Sequence, residues 1–204
     1  EYGLHECLLD LINQQLEAKG LIIKTCTLVD ATLLEAARRF PSKKDYKGGD
    51  PDASYTVKRG QPHYGYKAHI AVDQQHNIIR NVSLTGAHVH DSVEFEHVVK
   101  GDESMVIADK AYWGRKRDEW CEENGVANGI IQKAVRGKKL RESFQRLNRA
   151  LSAVRCQIEQ IFGWWKRSVG YRRVRYLGRE PNRLELEFKS ICWNLKRTVN
   201  LVSV

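Results

Sequence analysis

Thr25-Cys26-Thr27-Leu28-Val29-Asp30 (residues 25–30) is a short run of β-branched and apolar residues that closes on an acid. Such a run reads as a buried strand, because β-branched side chains fit a pleated, covered surface. A carboxylate at the end of such a strand is costly to bury unless it meets a cation or a cap. The same pattern returns at Met105-Val106-Ile107-Ala108-Asp109. In open α/β sheets ligand sites gather at strand ends, where side chains leave the core but stay on a rigid frame. Asp30 and Asp109 are therefore candidate site residues. Each also has a plainer reading. Thr32 and Glu35 would suit a helix start near Leu33, with Asp30 as its cap, and Lys110 would neutralise Asp109.

Outward from these strands the periodicity changes several times. Upstream, Leu4, Leu8, Leu11, Ile12 and Leu16 recur at helical spacing and Gly20 stands where a helix would close. This helix begins abruptly, so residues 1–20 read as the tail of a truncated N-terminal helical region. Residues 39–61 are charged and contain Gly48, Gly49, Pro51 and Gly60, which predicts a long surface loop. Residues 64–73 and 78–84 are strand-like and flank the polar turn Gln74-Gln75-His76-Asn77, a hairpin signature. Asp91 followed by Glu94 predicts a capping box opening a short helix through Val99. A helix over 115–124, a strand over 127–131, a helix from Arg141 to about Trp165 and a last helix over 184–201 complete the chain. The order predicts a mixed five-stranded sheet with helices on both faces plus a C-terminal helix, an α/β fold. Residues 21–170 would form the main α/β domain and 171–204 a basic arm and helix.

The long helix supplies a third acid. Arg155, Glu159, Phe162 and Lys166 are spaced by four, three and four, which places them on one helical face. By itself this is also the pattern of an ordinary surface ion pair, worth roughly 0.2–0.5 kcal/mol.

Charge narrows the partner. Between Lys133 and Arg197 there are 18 Lys and Arg against 5 Asp and Glu, a net of +13, while the remainder carries −4 of the overall +9. Such asymmetry is the footprint of a polyanion, or else a solvated basic surface. The run Arg172-Arg173-Val174-Arg175-Tyr176, with Trp164 and Trp165 before it, mixes cations and aromatics. That mixture suits backbone contact and stacking on an unpaired base, and equally an amphipathic helix with a basic edge. Five cysteines are scattered without a CxxC spacing, which argues against a zinc site or disulfide framework and for a reducing cytoplasm. His88 and His90 share a strand face but have no third ligand at zinc-like spacing. No apolar run approaches the ~20 residues of a membrane span.

Several stretches together resemble the DDE transposases of bacterial insertion sequences, in the insertion-sequence four and five superfamily. They are Thr27-Leu28-Val29-Asp30-Ala31-Thr32, His63-Tyr64-Gly65-Tyr66-Lys67-Ala68-His69, His88-Val89-His90-Asp91-Ser92 and Ala108-Asp109-Lys110-Ala111-Tyr112. The last is Arg155, three residues, Glu159, six residues, Lys166, the Arg-Glu-Lys part of the family signature; its leading Tyr would fall at Ser152. The resemblance implies a ribonuclease-H-like fold and Asp30, Asp109 and Glu159 as metal-binding catalytic carboxylates. It implies Mg²⁺, with Mn²⁺ as substitute, in metal-dependent cleavage and strand transfer at insertion-sequence ends. Two cations roughly 3.5–4 Å apart would stabilise the attacking and leaving oxygens, and carboxylates are the oxygen ligands Mg²⁺ prefers. Arg155 and Lys166 would meet phosphates, with Lys110, Tyr112, Lys133, Arg136, Arg172 and Arg173 along the same track. Double-stranded DNA (transposon ends and target), a homodimer in the DNA complex and a nucleoid-associated cytoplasmic location are further implications. Two alternatives stay open at this point: a truncated or domesticated transposase that binds DNA without catalysis, and a ribonuclease-H-like nuclease that cuts without joining.

Overall fold

The computed structural model describes residues 4–38, 49–134 and 137–202, with side chains from residue 7 onward. After helix α1 (Leu4–Ala18) the chain enters strand β1 (Thr27–Glu35), then β2 (Ser54–Lys58), β3 (Gln61–Asp73) and β4 (Ile78–Gly86). A 3-10 turn (Asp91–Val93) and the short helix α2 (Phe95–Val98) lead to β5 (Met105–Ala108), helix α3 (Arg115–Glu123) and β6 (Ala127–Ile130). Helix α4 (Glu142–Arg155), a 3-10 turn (Cys156–Ile158), α5 (Glu159–Arg167) and α6 (Arg179–Val202) complete it.

The sheet runs β2-β3-β1-β5-β6, with β4 also on β3. β3 is antiparallel to β1 and β4, whereas β5 is parallel to both β1 and β6. This is the mixed α/β sheet with a C-terminal helix that the element order predicts, and it is consistent with the ribonuclease-H-like fold that the resemblance implies. The five expected strands are present. The sixth, β2, lies inside the stretch read as a loop; of that stretch, residues 39–48 lie outside the described residues.

Strand alternation sorts the core into two faces. Leu28, Leu34, Ile70, Val72 and Ile107 join Ile158, Ile161, Phe162, Trp165, Leu186 and Trp193 on one face, under α4, α5 and α6. Val29, Ala71, Val106 and Ala108 pack with Phe95, Val98, Tyr112 and Cys121 on the other, under α2 and α3. Asn194 of α6, fully buried, accepts from the Ile79 N–H at 2.8 Å and donates to the Ile79 carbonyl and to Asn13 of α1. Through this asparagine α1, β4 and α6 are tied together.

Three elements differ from expectation. β1 continues through Glu35 instead of stopping at Asp30, because all nine of its residues pair with β3. The helix read from Arg141 to Trp165 breaks into two at the 3-10 turn of Cys156–Ile158. The cap before the 3-10 turn at residue 91 is His90, whose side chain accepts from the Ser92 N–H, while Asp91 pairs instead with Lys67 at 2.7 Å.

Candidate active site

β5 pairs with β1 only as far as Val29↔Ala108, so one step further along both parallel strands come Asp30 and Asp109. Neighbouring strands lie about 4.8 Å apart, and the two acids therefore stand side by side. Their face follows from the alternation. Leu28 and Ile107 belong to the core under α4 and α5, and Asp30 and Asp109 are two positions further on, so they point the same way. Glu159 opens α5 on that face, directly after buried Ile158, and is itself exposed. Three acids distant in sequence thus lie within electrostatic reach of one another where β5 has ended and β1 runs on.

The environment of Asp30 reports this convergence. Its carboxyl is pushed up to about 6, chiefly because burial removes water from the charged form. Arg155 and the Ala31 N–H counteract that rise, while the charges of Glu159 and Asp109 add to it. Oδ1 accepts from the Ala31 N–H at 2.8 Å and Oδ2 receives the Arg155 guanidinium. Among the described residues no three His, Cys, Asp or Glu side chains close into a group that could hold an ion in this conformation.

Two cations of the third signature reach back to β1. Arg155, the last residue of α4, meets Asp30, and Lys166, in α5, donates to Thr32 Oγ1 at 2.6 Å. Residues 30 and 32 share one strand face, so Arg155 and Lys166 bracket Glu159 from either side of the 3-10 turn. Burial lowers the Lys166 ammonium, and the nearby charges of Lys58 and Arg172 lower it further, against the pull of Glu159.

Beyond Ala108 the edge of β1 is free for another partner, and the basic run takes it. The Glu35 N–H donates to the Arg172 carbonyl and the Val174 N–H to the Glu35 carbonyl, both at 2.9 Å. The Arg173 guanidinium holds the Glu35 carboxylate at 2.7 Å. This pins Arg172 beside an open cleft of about 620 Å³ whose walls include Glu159, Lys166, Lys58, His63 and Arg167. Lys58, His63 and Arg167 were not singled out by the sequence. Their signal was faint: Lys58 ends the short edge strand β2 that reads as loop, and His63 pairs with that strand from the start of β3.

Other expected contacts distribute unevenly. Lys110 is exposed in the turn closed by the Tyr112 N–H on the Asp109 carbonyl at 2.9 Å, next to the second acid. Lys133 is exposed, and Arg136 lies outside the described residues. Tyr112, expected on the same track, is wholly buried among Phe95, Cys121 and Val126, so its ring packs the second core and is not at the surface. Trp165 is likewise wholly buried, edge-on to Tyr171, and Trp164 packs on Trp193 with ring centroids 5.5 Å apart. Trp165 is therefore a core residue with no face left for a base, while Trp164 is half-buried at the edge of that core. Among the described residues no helix is long and apolar enough to cross a membrane.

Comparison with known proteins bears on the whole chain. Residues 23–195 match the family described as the transposase DDE domain. The chain is also 31% identical over 212 aligned positions to the transposase for insertion sequence element IS1106 of Neisseria meningitidis serogroup B. That alignment covers 96% of the chain and 73% of the relative.

Proposed function

The chain belongs to the transposase DDE-domain family and is a DNA transposase, and from that premise we propose that Asp30, Asp109 and Glu159 are its catalytic carboxylates and hold Mg²⁺. The observation that carries the assignment is the Val29↔Ala108 register, which brings Asp30 and Asp109 side by side on the face that Glu159 overlooks. The donor set fits a hard divalent cation. All three ligands are carboxylates, and the Asp30 carboxyl is raised to about 6 by burial and by its two acidic neighbours, a stress that a cation would relieve. Bound cations would activate the attacking water or DNA 3′-hydroxyl and offset charge on the leaving oxygen.

The chain's own residues do the rest. Asp30 stands on β1 and Asp109 directly after the paired neighbour β5, so the Val29↔Ala108 pairing would hold them close before DNA arrives. Glu159 enters from α5, held by the burial of Ile158, Ile161 and Phe162. Lys166, Arg172, Lys58 and Arg167 line the cleft beside Glu159 and would seat the phosphates flanking the scissile bond. Lys110, one residue past Asp109, and Lys133 extend that track. Joining two transposon ends would bring two copies of the chain together in the DNA complex.

The test is strand transfer: incubation with Mg²⁺ or Mn²⁺, a pre-cleaved transposon-end duplex and a plasmid target, with Asp109→Asn beside the unaltered protein. The unaltered protein alone joins the duplex to the plasmid, and only with metal. Equal activity of the variant, or activity without metal, sinks the assignment.

A further inference from the structure

We propose that Arg155 is a displaceable counter-ion for Asp30: it satisfies the buried carboxylate until a DNA phosphate draws it away, so that DNA binding and metal binding are coupled through one side chain. The inference rests on the three-acid reading above and asks how a site closed by its own arginine becomes open to a cation.

Both oxygens of Asp30 are already engaged, Oδ1 by the Ala31 N–H and Oδ2 by Arg155 Nη1. The pair is largely covered, with side-chain exposures of 14% for Asp30 and 19% for Arg155. A buried carboxylate without a partner is strongly unfavourable, so some cation must sit here whenever the side chain is ionised. A divalent ion on Asp30 and a guanidinium on the same oxygen compete for one place. Arg155 is not at its best there. It contacts Asp30 through Nη1, while its Nε is buried without a hydrogen-bond partner. A guanidinium prefers a two-pronged contact, which a phosphate offers.

The position of Arg155 also favours movement. It ends α4 directly before the 3-10 turn of Cys156–Ile158, where helical hydrogen bonding changes register. One wall of the cleft carries Lys58, Lys166, Arg167 and Arg172, which would bring a DNA backbone to the Glu159 side of this turn. Entry of a phosphate then gives Arg155 a better partner and leaves Asp30 for the cation. Linkage makes the effect reciprocal: bound metal would equally strengthen DNA binding.

An ordinary supporting role for Arg155, orienting Asp30 for its cation, makes the opposite prediction. Removing an orienting group weakens metal binding, whereas removing a competitor strengthens it. The experiment is a Mn²⁺ titration read by the paramagnetic resonance signal of free ion. It uses the unaltered protein, Arg155→Gln, Arg155→Lys, Asp30→Asn and Asp109→Asn, with and without a short mixed-sequence DNA duplex, after subtraction of ion bound by the duplex alone.

Without DNA, Arg155→Gln should bind Mn²⁺ on the order of tenfold more tightly than the unaltered protein, a usual size for coupling between sites. Arg155→Lys, which keeps the charge, should stay near the unaltered value. The duplex should tighten Mn²⁺ binding to the unaltered protein by a similar factor and help Arg155→Gln much less. Equal or weaker binding by Arg155→Gln overturns the proposal. So does an unaltered protein whose Mn²⁺ affinity ignores the duplex, a comparison that needs no variant to fold. Failure of the three-acid reading looks different: Mn²⁺ binding that Asp30→Asn and Asp109→Asn leave unchanged contradicts that reading and this proposal together.

Discussion

Asp30 sits under two opposed demands. Burial between β1 and α4 favours its neutral form and raises the carboxyl to about 6, yet cation binding needs it ionised. On the proposed role, Asp30 would depend on neighbours that supply positive charge, and Asp109, which Arg155 does not hold, serves as the cleaner probe of the site. Asp109→Asn should lower strand transfer by on the order of a thousandfold or more, the scale of losing metal-assisted catalysis. Its melting temperature should stay close to that of the unaltered protein in the same preparation. A second residue reports on burial alone. His69 is wholly buried on β3 with only Nε2 paired, to Thr85 Oγ1 at 3.0 Å, and burial pushes its imidazole down to about 4. The other charges facing it are Asp91 and Glu94, which favour protonation, and Lys67, which opposes it. Because the folded value lies below the unfolded value of about 6.5, the unfolded chain takes up the proton first. His69 therefore contributes stability that is full above about pH 6.5 and is lost as pH falls from there through about 4, up to roughly 3 kcal/mol. Denaturant unfolding of His69→Gln against the unaltered protein should show the gap between them shrinking across that window. A constant gap contradicts the account.

At the scale of elements, the crossing of β1 and β3 carries the site. Gly65 lies opposite Glu35, and a Cβ there would stand 2.1 Å from the Leu34 carbonyl oxygen and 2.6 Å from the Ala36 nitrogen. Backbone on both sides leaves no room to yield, so Gly65→Ala should cost at least about 2–3 kcal/mol, the scale of overpacking. Thermal unfolding measures this, and an unchanged midpoint would show that β1 and β3 do not approach so closely. The same pair explains what the sequence revealed and what it hid. Leu28-Val29-Asp30 and Ile107-Ala108-Asp109 were legible because buried parallel strands are apolar without interruption. The second half of β1, Ala31 to Glu35, was not legible. Ala31-Thr32-Leu33-Leu34-Glu35 fits a helix start as well as a strand, and pairing with distant β3 decided the matter. β2 escaped because its apolar face is the exposed one, Tyr55 at 50% and Val57 at 59%, while Ser54 and Thr56 on the other face are polar, so no apolar side marks a buried strand. The break at Cys156–Ile158 left no trace because 3-10 and α-helical turns share nearly the same apolar spacing. The signature marked Glu159 as a candidate, but not the break before it at which α5 begins.

At the scale of the whole molecule, charge and cohesion make separate demands. The basic excess from Lys133 to Arg197 was legible in composition, but its placement was not. Folding spends part of it on Glu35, which pairs with Arg173, and on Glu185, which meets Arg175 and Lys189, and turns part of it toward the cleft. DNA affinity should fall steeply with salt, and Lys166→Met should reduce the slope of log affinity against log salt by about one. A salt-independent affinity would remove the basic third from the DNA track. Cohesion depends on α6 and the fully buried Asn194, which serves both Ile79 and Asn13. Asn194→Leu would strand the Ile79 N–H and Asn13, so unfolding by denaturant should show a loss of about 2–3 kcal/mol.

In the proposed site Asp30, Asp109 and Glu159, remote in sequence, surround one cation-binding place. Fe²⁺ exchanged for Mg²⁺ in the DNA complex, with ascorbate and peroxide, generates hydroxyl radicals that cut the polypeptide next to the bound ion, and mass spectrometry locates the cuts. Cuts should cluster around residues 30, 109 and 159, be suppressed by excess Mg²⁺ and be absent in Asp109→Asn. Cuts that centre elsewhere, at His88 and His90 for example, or that persist unchanged in the variant, would contradict it.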